Sequence, residues 1–219
     1  MNMNGTFSRR LTTIPTVSSA AADASRDVKS PSYYQFLESK VRTADVILLD
    51  TNCWMKPGFE EFANDIARFL KNNGKTVTVL QGVLKELRYL ATAGTSAEER
   101  QKAGKALAYI NELNTAGLVS WKGNPNSSDS GCAAVVKYAA MHLWDQNLFV
   151  LTQDATVAHD LRILSEIKSA PIDHPVVVKR LTGRNGRLGD FSEEAPAAAA
   201  PAKQTNTGNA NDVLRRFGL

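Results

Sequence analysis

The stretch Val46-Ile47-Leu48-Leu49-Asp50-Thr51-Asn52 decides the fold. Four consecutive strand-forming apolar residues offer no polar face. The strand they form must be covered on both sides, as in a parallel sheet held between helical layers. The run then empties into a carboxylate, a hydroxyl and an amide, and the carboxyl ends of parallel strands are where open α/β sheets place their sites. Leu148-Phe149-Val150-Leu151-Thr152-Gln153-Asp154 repeats that design much later in the chain.

Around these two runs the chain alternates between strand and helix patterns. Phe59, Phe62, Ile66, Phe69 and Leu70 recur at helical spacing after Pro57 and Gly58, and Asn72-Asn73-Gly74 closes that helix. Residues 76–80 make a second strand, and a helix over 83–91 carries Glu86 near its start. Ser96-Ala97-Glu98-Glu99 predicts a capping box and a long helix to about residue 115. Residues 118–121 form a short third strand, and after a turn-rich loop Asp129 opens a helix reaching about residue 145. The Leu148 run is the fourth strand, followed by a helix with Val157, Leu161, Leu164 and Ile167, and 175–178 begin a fifth. Strands alternating with helical connections specify an α/β fold, with a mainly parallel five-stranded sheet under helices on both faces.

Residues 1–30 are polar, small and aperiodic, a composition that buries too little to offset its ordering entropy, so they read as a disordered arm. The folded domain spans 31–182. Residues 183–210 read as a flexible basic segment and then an Ala/Pro-rich linker, and 211–219 as a terminal peptide. Val213, Leu214 and Phe217 sit at helical spacing in that peptide, which suits it to dock on a protein partner.

Of 219 residues, 43% are hydrophobic, enough for one ordinary core. The net charge of +4 tolerates a polyanionic partner without identifying one. Cys53 and Cys132 lack the density or spacing of a disulfide framework or a zinc site, which points to a reducing, cytoplasmic setting. No apolar run approaches the roughly 18 residues of a membrane span, and no GxxxxGK[ST] loop follows any strand, which argues against a phosphate-loop nucleotide enzyme.

Asp50, Glu86, Asp129 and Asp154 each fall where a strand ends or a helix begins, at one edge of the expected sheet. Carboxylates gathered without a cation would repel and raise one another's pKa, whereas Mg2+ or Mn2+ needs such an oxygen-rich cage. Singly, Asp129 and Asp154 also suit helix caps and Glu86 a solvated helix position; the ordered set carries the chemistry.

In order and context these acids resemble the PIN-domain nucleases, over about residues 45–181. The matching stretches are Leu49-Asp50-Thr51-Asn52, Val83-Leu84-Lys85-Glu86-Leu87, Asp129 opening a helix, and Leu151-Thr152-Gln153-Asp154. The resemblance implies a PIN-like three-layer sandwich with strand order 3-2-1-4-5. It also implies endonucleolytic cleavage of single-stranded RNA by a metal-activated water, leaving a 5′-phosphate. Asp50, Glu86, Asp129 and Asp154 would hold Mg2+ or Mn2+, with Asn52 and Thr152 orienting carboxylates or water behind them. Homodimers are common in the family. Two departures stand out: the chain carries long arms that compact toxin members lack, and Ala155-Thr156, not a basic residue, follows Asp154. Phosphate contacts then fall to Lys56, Lys85 and Arg88 near the cleft and to Lys179, Arg180, Arg184 and Arg187. The rival reading is a catalytically silent domain of the same fold, binding RNA or scaffolding partners through its tails.

Overall fold

A computed structural model describes residues 29–166, 174–191 and 210–216. Most of the expected arm, 1–28, and the stretch 192–209 lie outside the described residues, as does Ile167. The described part of the arm is already engaged: Lys29 pairs with Asp65 at 2.5 Å, and Ser30 caps the first helix.

The elements run α1 (Pro31–Thr43), β1 (Val46–Leu49), α2 (Thr51–Trp54), α3 (Phe59–Asn73), β2 (Val77–Leu80), α4 (Gln81–Ala93), α5 (Ala97–Thr115), β3 (Val119–Lys122), α6 (Gly131–His142), β4 (Leu148–Leu151), α7 (Ala155–Ser165), β5 (Val176–Thr182), β6 (Arg187–Gly189) and α8 (Ala210–Arg216). Pro31 at the first turn suits α1, because a helix start has no use for that N–H. Gly58 and Gly74 bracket α3 in left-handed conformations, and its stripe from Phe59 to Leu70 is buried. Ser96 caps α5 through the Glu99 N–H, but the Glu99 carboxylate reaches back to the N–H of Thr95, one residue earlier than in a standard capping box.

The sheet order is β3-β2-β1-β4-β5-β6, with the first five strands parallel and β6 antiparallel to β5. Every residue of β1, β2 and β4 is buried, so both faces of the central strands are covered, giving a three-layer α/β architecture. α1 packs on α3, α4 on α5 and α6, and α7 on α6 and β5. β1 pairs with β4 in full register, Leu49 opposite Leu151, and the chain reverses its direction of travel across the sheet between these strands. Their carboxyl ends therefore open side by side.

The sheet has six strands rather than five, and the segment read as flexible begins with a hairpin. Thr182-Gly183-Arg184-Asn185-Gly186-Arg187 carries two glycines at φ +64°, and Asn-Gly is a strong hairpin signal. The tip is clamped: Tyr33 donates to the Gly186 carbonyl at 3.2 Å, and a Cβ on Gly58 would stand 2.6 Å from the Arg184 carbonyl. The terminal peptide is not unengaged either. α8 lies on α7 of its own chain, with Val213 in the core. Among the described residues no helix is long and apolar enough to cross a membrane.

Candidate functional site

Asp50 leaves the end of β1 and caps α2, a four-residue helix that sequence periodicity alone does not reveal. Its carboxylate is fully buried. Oδ1 accepts from the Cys53 N–H at 2.7 Å; Oδ2 accepts from the Thr152 hydroxyl and from the Gln153 N–H at 3.2 Å. Burial pushes its pKa up, and these three bonds pull against that rise. The Thr152 hydroxyl also accepts from the Asp154 N–H at 3.0 Å, so one side chain ties the two strand ends together. Asp154 in turn caps α7, with Oδ1 accepting from the N–H groups of Thr156 and Val157.

Glu86 arrives from α4. Its Oε2 accepts from the Thr51 hydroxyl at 3.0 Å and from the Gly131 N–H at 2.6 Å, joining α2, α4 and the first turn of α6 through one oxygen. Gly131 has to be glycine for that approach. A Cβ there would collide with the Thr51 hydroxyl and lie 2.5 Å from the Glu86 carboxylate. Next to it, the Cys132 thiol feels the charge of the acids. Burial pushes its pKa up to about 12, with Asp50, Asp154 and Glu86 adding to the rise through their charge. Asp50 and Asp154 thus stand at the carboxyl ends of the adjacent strands β1 and β4, joined through the Thr152 hydroxyl, and Glu86 reaches Thr51, the residue after Asp50.

Asp129 stands apart from that group. Ser130, not Asp129, caps α6. The Asp129 carboxylate binds the Lys137 ammonium at 2.8 Å and the Ser127 hydroxyl at 2.8 Å, and these partners, Lys137 foremost, hold its pKa below the usual carboxylate range. Among the described residues no three His, Cys, Asp or Glu side chains are already disposed as a metal cage. The carboxylates are instead engaged by hydroxyl, N–H and ammonium donors, with Glu86 Oε1 and Asp154 Oδ2 left without a hydrogen bond from the described residues. The donor types nevertheless suit a hard divalent cation: carboxylate oxygens of Asp50, Glu86 and Asp154, with the Lys137 ammonium standing as the cation at Asp129.

The chain matches no family model, no curated protein and no solved structure. What the site can do therefore rests on its own geometry.

Asn52 is exposed and makes no hydrogen bond to the acids. With Lys56 and Gln153 it lines a cleft of about 340 Å3 that reaches Ser96 and Lys102 of the α5 start. Lys85 donates to the Ser127 carbonyl at 2.7 Å, pinning the loop before Asp129, and Arg88 is exposed one turn along the helix. The other basic residues lie elsewhere. Lys179 pairs with Asp190 and stacks over Phe36, and with Arg187 it lines a second cleft of about 350 Å3 beside Ser30, Tyr33 and Phe36. Arg180 lies over Phe191, and Arg184 sits in the hairpin turn. The sequence reading gave Thr51 and Cys132 no role in the site and did not single out Gly131 or Lys137. Only Gly131 carried a local signal, a glycine where a helix should gain a good helix former.

Proposed function

We propose that this protein is a Mg2+- or Mn2+-dependent endoribonuclease of the PIN-like type, acting on single-stranded RNA. The observation that carries the reading is the placement of Asp50 and Asp154 at adjacent parallel strand ends, bridged by the Thr152 hydroxyl, with Glu86 bonded to Thr51 beside Asp50. A cation bound between such carboxylates would ease their mutual repulsion. Asp50, Glu86 and Asp154 would hold the ion, with Asp129 joining once Lys137 lets go. An ion held there would supply an activated water and neutralise the leaving oxygen. The chain's own residues do the rest. Thr152 fixes the Asp50 carboxylate and the start of α7 together, Thr51 and Gly131 fix Glu86, and Lys56, Lys85 and Arg88 offer charge to phosphates flanking the cut.

The test is cleavage of a labelled single-stranded RNA by wild type with Mn2+, by wild type with EDTA, and by Asp50→Asn with Mn2+. The expected outcome is cleavage in the first reaction alone. Unchanged turnover in purified Asp50→Asn would refute the assignment. One observation favours the silent alternative: Asp50 and Asp154 each cap a helix and so have a structural use. A silent scaffold gains no thermal stability from Mn2+, whereas a cation site does.

A further inference from the structure

Asp160 occupies a stripe position on α7. Val157, Asp160, Leu161 and Leu164 follow helical spacing and all are buried, the acid to 2% exposure. A carboxylate in such a place needs a partner of opposite charge, since a buried, unpaired charge is strongly disfavoured. Its hydrogen-bond partner among the described residues comes from α8: Arg216 Nη1 meets Asp160 Oδ2 at 2.7 Å. One turn earlier on α8, Val213 is buried to 1% exposure, and Leu214 packs partly against the same core. Val213 and Arg216 share one face of the helix, an apolar anchor and a cation in the spacing that meets the α7 stripe.

We propose that this face of α7 is a peptide-docking groove and that residues 210–216 are its tethered ligand. The groove selects a short helix with an aliphatic residue and an arginine one turn on. A seven-residue helix is too short to hold together alone in water, so its helicity belongs to the docked state. Among the described contacts docking draws on Val213, Leu214 and the Arg216–Asp160 pair, and attachment to the same chain raises the effective concentration of the segment. The occupant is the chain's own carboxy-terminal segment. The groove's position gives docking a reach beyond the tail, because Asp154 caps α7, and whatever steadies α7 steadies that carboxylate. This inference does not depend on the nuclease reading.

The experiment uses full-length chain in which Val213→Asp and Arg216→Glu empty the groove. A fluorescent peptide of residues 208–219 is titrated onto it and onto wild type and followed by anisotropy. Saturable binding to the variant is expected, at least about tenfold tighter than to wild type, whose tethered copy competes. A peptide carrying Arg216→Ala should bind the variant at least about tenfold more weakly. No saturable binding to a variant with native circular dichroism overturns the proposal, as does equal binding of the two peptides. If the double variant loses its native spectrum, full-length Arg216→Ala replaces it and must still bind the peptide more tightly than wild type does. A wild-type dimer that the substitutions convert to monomer would make a second copy the donor of the tail and overturn the tethered arrangement.

Discussion

Replacing Gly131 by alanine tests how tightly the site is assembled. The new methyl group collides with the Thr51 hydroxyl and stands 2.5 Å from a Glu86 oxygen, so α6 must retreat or both side chains must turn away. Overpacking of this kind costs about 1–3 kcal/mol. Displacing Glu86 also weakens the 2.6 Å bond from the Gly131 N–H, and a bond to a charged acceptor is worth about 1.5–3 kcal/mol. The two losses overlap, since one movement relieves the clash at the expense of the bond. The net loss should be about 2–4 kcal/mol, by combining those ranges. At a urea slope of roughly 2 kcal/mol/M, the unfolding midpoint then falls by about 1–2 M. Thr51→Ala removes one of the two obstacles, so the double variant should be less destabilised than the sum of the single variants, by at least about 1 kcal/mol. Urea unfolding of the four proteins decides it. A Gly131→Ala variant within about 0.5 kcal/mol of wild type would refute the close approach, and strict additivity would refute Thr51 as the obstacle.

Lys137→Met should free Asp129 for divalent cations. The pair is part-exposed and worth up to about 1 kcal/mol, so the Mn2+ concentration for half-maximal thermal stabilisation should fall by up to about fivefold; no change would show that Lys137 does not compete for the site. Asp50 gives a pH signature. Burial raises its native pKa, so the folded chain keeps this proton at a pH where the unfolded chain, titrating near about 3.9, has released it. Its contribution to stability is therefore greatest at low pH and falls as pH rises from that value through the native one. Asp50→Asn should remove this decline, and identical urea midpoints against pH for the two proteins would count against it.

The sequence was most legible where burial is complete. β1 and β4 announce themselves as unbroken apolar runs because both of their faces are covered, and a strand with no polar face has few other places to go. α3 and α5 were legible from their stripes and from the Gly74 and Ser96 signals at their ends. Short elements were not. α2 is four residues long and exists because Asp50 caps it, and β6 was hidden behind glycines that read equally well as a tether or a turn. Of the site, the acids were visible by type and position, but their partners were not. The Lys137–Asp129 pair joins residues two helical turns apart, and the Thr51–Glu86–Gly131 junction joins three elements, and neither spacing has a one-dimensional signature. The terminal peptide was read for its apolar spacing, and Arg216 went unremarked. Its meaning lay in Asp160, an acid at a stripe position that asks for a distant cation.

The full-length pairing of β1 with β4 also has a bearing on biosynthesis. β1 is among the first described elements to leave the ribosome, yet its neighbour on one side arrives about a hundred residues later, with Leu151. Until then one edge of β1 lies open, and Asp50 lacks both the Thr152 hydroxyl and the Gln153 N–H that hold it. Loop closure over such a separation is slow and comes late in folding. The acids on Asp50 and Asp154 can be brought together only when most of the domain has been made, so a nascent or truncated chain carries the parts of the site without the site.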